Sequence, residues 1–177
     1  MREPEPETIR RARAGDLEAW ESLVRTYQAD AWRFAYHLIG NRASAEDATQ
    51  EAFLHAFRAI GTYQGQAKFT SWLLRIVRNC AIDAYRKTRR ETSVPAEEMP
   101  GAPTPGPSGE RLRISQAIDA LPRELREPFV VIEVLGFTYD EASSILGVKL
   151  GTVKSRMHRA RARLVRALSE GEAAHEV

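Results

Sequence analysis

The stretch GTVKSRMHRARARL, Gly151 to Leu164, carries Lys154, Arg156, Arg159, Arg161 and Arg163 with no acidic residue among them. Val153, Met157, Ala160 and Leu164 recur at helical spacing, so one face of a helix is buried and the cations take the rest of the cylinder. An exposed helix ordinarily relieves such repulsion with Glu four residues away, which adds a few tenths of a kcal/mol per pair. Its absence points to negative charge supplied from outside the chain. An Arg side chain can bridge the O6/N7 edge of guanine, and Lys and Ser can reach bases or phosphates. Thr152, Lys154, Ser155, Arg156 and Arg159 occupy the opening turns and are the candidates for duplex DNA contact. The bland alternative is a solvated basic helix that caps a bundle.

The residues just upstream supply the means of presenting that helix. In FTYDEASSILGVKLGTV, Ser143 is a small residue four before Gly147, and the apolar Val153 follows six after it. That is helix-turn-helix spacing: the small side chain lets two helices cross closely, and the glycine turns the chain. Thr138 and Glu141 have the spacing of a capping box for the first of the two helices.

Two further constellations lie in the front half. The loop GTYQGQAKF, Gly61 to Phe69, holds Tyr63, Gln64, Gln66 and Lys68, and leads into a helix whose polar stripe is Asn79, Asp83, Arg86 and Arg90. Aromatics and amides beside a basic helix suit single-stranded nucleic acid, whose bases are held by stacking and edge hydrogen bonds. Aromatics at a helix start serve equally well as core. In SAEDATQEAFLHAFRAI, Asp47, Gln50, Glu51 and Leu54 share one helix face, and Phe53, Phe57 and Ile60 share another. The acidic face is either simply solvated or matched to a basic protein partner.

Enzyme chemistry finds no support. His37, His55, His158 and His175 have no metal-ligand spacing with one another or with Cys80. There is no phosphate-cradling glycine loop and no nucleophile elbow. No catalytic residue, metal or cofactor is expected. The single cysteine, Cys80, excludes an internal disulfide and fits a reducing compartment as a small core residue. No apolar signal core or membrane-length run is present, so a cytoplasmic protein without membrane insertion is expected.

The elements that must carry these sites are helical throughout, and the expected fold class is all-α. The 177 residues have a net charge of only +2, but acids gather at the front and bases at Arg86–Arg90 and in the opening stretch. Residues 91–109 contain five prolines and three glycines with almost no large apolar residue, which predicts a flexible linker. The expected organisation is thus an N-terminal helical domain over 1–90, a linker over 91–109 and a helix-turn-helix domain over 110–177. Front helices are expected at about 6–14, 16–39, 44–60 and 70–90, the third capped by Ser44. Leu17, Trp20, Leu23, Val24, Tyr27 and Phe34 are among the core positions of the second. Back helices are expected at about 110–120, 122–135, 138–146 and 151–169.

In this order, the blocks AEDATQEAF, FTSWLLRIVRN and GTVKSRMHRAR across a proline-rich linker resemble the extracytoplasmic-function (ECF) sigma factors of bacterial RNA polymerase. The resemblance implies a non-enzymatic initiation factor, monomeric when free, that binds core RNA polymerase and opens promoter DNA. It implies that Asp47, Gln50, Glu51 and Leu54 face the polymerase clamp. It implies that Tyr63, Gln64, Lys68, Asn79, Asp83 and Arg86 meet the non-template strand of the −10 element. Thr152, Lys154, Ser155, Arg156 and Arg159 would then read the −35 element, with residues 110–177 touching the polymerase flap. An anti-sigma partner is usual in the family. Lys149-Leu150 fills a turn that more often holds proline or an acid. Two other readings stand beside this one: a dimeric helix-turn-helix regulator with a sensor front, and a helical adaptor that does not bind DNA.

Overall fold

The computed structural model describes residues 1–92 and 109–173. The linker expected over 91–109 lies almost wholly outside them. Among the described residues there are eight α-helices and no strand. The front group is α1 (Pro6–Arg13), α2 (Leu17–Ile39), α3 (Arg42–Ala59) and α4 (Phe69–Thr92). The back group is α5 (Gly109–Asp119), α6 (Arg123–Phe129), α7 (Tyr139–Leu146) and α8 (Leu150–Ala173).

Helix ends follow from local chemistry. Asp16 caps α2 by accepting from the Glu18 and Ala19 amides at 3.0 and 3.1 Å. Those bonds, and the Arg11 guanidinium beside it, hold the Asp16 carboxyl below its ordinary pKa. Gly40 ends α2 in the left-handed region at φ 76°, where its N–H reaches the Tyr36 carbonyl. The next helix starts earlier than the expected Ser44. Asn41 is the cap, and its side-chain oxygen accepts from the Ser44 amide at 3.0 Å, so Ser44 is the third helical residue.

The long helix expected over 122–135 is instead α6 followed by a π-helical turn, Val130–Val134. Pro128 has no N–H to give to the carbonyl four residues back. Beyond it the ladder widens, and the Leu135 amide bonds the Val130 carbonyl five residues back at 3.0 Å. Thr138 and Glu141 form the expected capping box at α7, and Gly147 ends that helix at φ 66°.

The front core gathers Leu23, Phe34, Leu38, Phe69, Leu73 and Val77, and the back core Val130, Ile145, Val153, Met157 and Leu164. Each such side chain contributes about 1.5–3 kcal/mol by leaving water. The apolar stripe read from the opening stretch is therefore the seam that fixes α8 in its domain. The two groups also touch. α4 packs against α7, and α2 against α6. Polar contacts pin this seam: Arg75 Nη2 donates to the Ser144 carbonyl and hydroxyl, both at 2.8 Å. Arg78 donates twice to Glu127 Oε2, at 3.0 and 2.8 Å, while Arg123 Nε donates to Oε1 at 2.7 Å. His37 Nδ1 lies 2.9 Å from Asp119, and the Arg123 guanidinium sits 5.5 Å over the Tyr85 ring.

Candidate nucleic-acid interface

α8 presents the cations as its apolar stripe requires. Lys154, Ser155 and Arg159 are exposed, and Thr152 and Arg156 half-buried, on the side away from Val153 and Met157. Lys154, Arg156, Arg159 and Arg163 make no ion pair with any described residue. Arg161 departs from the expectation that no acid in the chain meets this helix. Its guanidinium bonds Glu133 of the π turn at 2.5 Å, and that bond raises its pKa. The missing signal is distance: Glu133 lies 28 residues away in sequence. The Ser155 hydroxyl donates to the Thr152 carbonyl at 3.0 Å, which leaves its oxygen free to accept.

The turn before α8 is held from within. Ser143, the small residue at the helix crossing, donates its hydroxyl to the Val148 carbonyl at 2.6 Å, while its own carbonyl accepts the Val148 amide at 3.2 Å. Serine thus adds a clasp that alanine could not supply.

The front loop and α4 bring together Gln64, Lys68, Asn79, Asp83 and Arg86 as exposed residues. Arg86 and Asp83 are 3.7 Å apart. Tyr63 is half-buried. Its ring packs against Trp72 and Phe69, with centroids 5.2 and 5.9 Å away, and its hydroxyl donates to the Ala67 carbonyl at 2.6 Å. Burial, then the Glu3 carboxylate, raise its pKa. The ring thus shapes the loop from inside. Lys68 is exposed yet paired with Glu141 of α7 at 2.6 Å, and this bond raises its pKa. Burial pushes the Glu141 carboxyl up, but Lys68 and the Thr138 amide and hydroxyl outweigh it and hold the carboxyl below its ordinary value. Sequence reasoning missed Arg75 and Arg78, which lie on the side of α4 turned toward the back domain. Their positions beside the core residues Leu74 and Val77 were the available signal.

On α3, Asp47, Gln50, Glu51 and Leu54 are all exposed on one face. Leu54 is 57% exposed, and Leu17, expected in the core, is 62% exposed. They edge an apolar groove between α2 and α3, floored by Trp20, Val24 and Phe53 and flanked by Phe57. Phe57 lies 5.4 Å from the Trp20 ring yet stays 41% exposed. The helical period alone could not separate these positions from core, because the groove is continuous with it. Cys80 is buried; burial and then the Glu51 and Asp83 carboxylates push its thiol up to about 11. No cluster of metal-binding side chains occurs among the described residues, and none of their helices is long and apolar enough to cross a membrane.

The Sigma-70 region 2 family matches residues 23–91, and the Sigma-70, region 4 family matches residues 111–164. The ECF RNA polymerase sigma factor SigM of Mycobacterium tuberculosis is 35% identical over 156 residues, covering 88% of this chain and 80% of SigM. The chain belongs to the ECF RNA polymerase sigma factors. SigE of Mycolicibacterium smegmatis, another ECF sigma factor, is 37% identical over 157 residues, which cover 84% of this chain and 61% of that protein. Among solved structures, the sigma factor RpoE of Bartonella quintana, in complex with the anti-sigma factor NepR, superposes with a TM-score of 0.73. It is 28% identical, and the match covers 84% of this chain and 96% of that one. CnrH, in complex with the cytosolic domain of CnrY, shares the fold at TM-score 0.71 and 24% identity, over 92% of this chain and 96% of its own. In this ECF sigma factor the helix-turn-helix falls inside region 4. The loop, α4 and the acidic face of α3 fall inside region 2.

Proposed function

We propose that this chain binds core RNA polymerase in the cytoplasm and directs it to promoters, reading the −35 element with α8 and opening the −10 element with the loop and α4. Residues 1–90 and 110–177 act as the two DNA-engaging domains, and 91–109 as their tether. The observation that carries this reading is the cationic face of α8, where Lys154, Arg156 and Arg159 stand without an acid partner among the described residues, at the end of a helix-turn-helix. A major-groove reader needs that unpaired charge, and a bundle-capping helix does not.

Thr152, Ser155, Arg156 and Arg159 fall on one side of the helix and reach bases or adjacent phosphates, while Lys154 on the flank meets backbone. Gln64, Lys68, Asn79, Asp83 and Arg86 face the non-template strand, on a loop that Tyr63 braces. Asp47, Gln50 and Glu51 engage the basic clamp of the polymerase, with Leu54 and the neighbouring groove supplying apolar contact. The C-terminal domain meets the flap. The likeness to RpoE, which is seen with the anti-sigma factor NepR, supports control by an anti-sigma protein here as well.

Promoter engagement also demands that the two domains separate. With α4 against α7 and α7 against α8, the two reading helices are two helix spacings apart, about 20 Å. Sites two turns of DNA apart are about 70 Å apart. The 16 residues between Thr92 and Gly109 can reach up to about 55 Å, and the lengths of the helices they join supply the rest of that separation. Run-off transcription with purified core polymerase tests the reading. Initiation that depends on this chain supports it. Duplex binding to an inverted repeat with no effect on polymerase would replace it with the dimeric regulator.

A further inference from the structure

The helix that bears Asn79, Asp83 and Arg86 has an unusual start. α4 begins at Phe69, so Lys68 occupies the position from which a side chain normally caps the first turn. Lysine is a donor only and cannot accept the free amides there. Glu3 accepts them instead. Its carboxylate takes the Phe69 amide at 2.9 Å, the Thr70 amide at 3.0 Å, and the Thr70 hydroxyl. The neighbouring Arg2 carbonyl accepts the buried Tyr27 hydroxyl at 2.8 Å, which pins this segment to α2.

The other end of the loop is held by the same stretch of chain. α1 packs against the 3₁₀ turn Ile60–Thr62, from which the loop departs. Residues 2–13 therefore grip the loop at both ends, and the loop carries Tyr63, Gln64 and Lys68 between them. The region 2 family match begins at residue 23, so this grip comes from outside the matched segment.

We propose that Glu3 is a positioning residue for promoter opening: by capping α4 from outside the helix, it lets position 68 carry a cation, which passes from Glu141 to DNA when the domains part, while holding the loop 63–68 at a fixed angle to Asn79 and Arg86. This rests on the −10 assignment above. A cap from α4's own sequence would place Ser, Thr, Asp or Asn at 68 and forfeit the cation. The distant Glu keeps both.

The test uses the full chain with core polymerase and a promoter carrying 2-aminopurine in the non-template −10 strand. Glu3→Ala should cut the opening signal about tenfold, in line with a lost cap. Core affinity and −35 duplex binding should stay within about twofold, because α3 and α8 lie elsewhere. Glu3→Gln keeps the side-chain shape and one acceptor oxygen, and should recover about a third of the signal. Amide exchange at Phe69 and Thr70 should rise in both variants. The proposal is overturned if exchange rises while opening is unchanged, since the cap would then serve stability alone. It is also overturned if core and −35 binding fall together with opening. A wild-type chain that gives no opening signal would instead refute the −10 assignment itself.

Discussion

α8 and α4 are both 24-residue basic helices that start inside matched sigma regions, yet their cations differ in how they are met. On α8, Lys154, Arg156, Arg159 and Arg163 have no described acid beside them, while Arg161 is met by Glu133. Around α4 the cations are engaged: Lys68 by Glu141, Arg75 by Ser144, Arg78 by Glu127 and Arg86 by Asp83. Three of those four partners belong to the back domain. The proposed −35 side is thus presented, while Lys68 and Arg86 of the proposed −10 side are paired with the chain's own carboxylates. The seam is also imperfect. Arg126 is largely buried with its Nε lacking a partner, and burial lowers its pKa. A buried N–H without a partner weakens the seam.

The largest effect on this contrast should come from Glu127, which is 3% exposed between Arg78 and Arg123. Removing the acid leaves two cations facing each other in a dry seam. Glu127→Ala should cost about 3 kcal/mol of docking, up to complete separation of the domains. A rise in the radius of gyration by X-ray scattering is the expected outcome; an unchanged value would mean that packing, not charge, holds the seam.

Arg156→Ala should come next, at about 2 kcal/mol of −35 affinity, with preference relaxed at particular base pairs. Binding assays across a base-substitution series check it. A uniform loss would make α8 an anion surface and not a reader. Asp47→Lys or Glu51→Lys should weaken core-polymerase affinity about tenfold without touching either DNA face, because these acids sit on α3. Equal polymerase binding in a titration would reassign the clamp face.

Smaller and sharper is the comparison of Lys154→Ala with Arg161→Ala. The first should lower the salt slope of DNA binding by about one unit. The second should lower it less, because Glu133 already neutralises that guanidinium. Equal slopes would dissolve the distinction between free and paired cations. The smallest effect concerns pH and the Lys68–Glu141 link. Glu141 is depressed from 4.5, so its contribution is present above that value and lost as pH falls through its lowered folded value. Lys68 is raised from 10.5, so its contribution is complete below that and lost as pH rises through the folded value. The link should hold at constant strength between these limits and fade outside them, a course that chemical-shift titration of Glu141 can follow.

Much of this was legible beforehand where the signal is local. The α8 stripe, the Gly147 turn and the Thr138 capping box are each set by residues within a few positions of one another. The start of α3 was misplaced by two residues because Asn41, Ser44 and Asp47 all fit a cap, and only geometry selects the Asn41 oxygen. The break in α6 was signalled by Pro128, but a π turn is needed to express it. Three features could not be read: Glu3 capping α4, Glu133 meeting Arg161, and Glu127 meeting Arg78. Each joins residues distant in the chain, and no periodicity encodes a partner 28 to 67 residues away. The groove beside Leu54 was hidden for another reason, since Leu17 and Phe57 obey the core pattern but sit at its open edge.

In the function proposed, one chain holds a presented −35 reader and a covered −10 reader, and polymerase and promoter draw them apart. Energy transfer between dyes on K87C in α4 and A162C in α8, both exposed positions, tests it directly. Cys80 can stay, because its buried thiol, pushed up to about 11, is a poor nucleophile. The free chain should show high transfer, and adding core polymerase with a −35/−10 promoter should collapse it as the helices move from about 20 Å toward about 70 Å apart. High transfer that persists in an initiating complex would contradict the account.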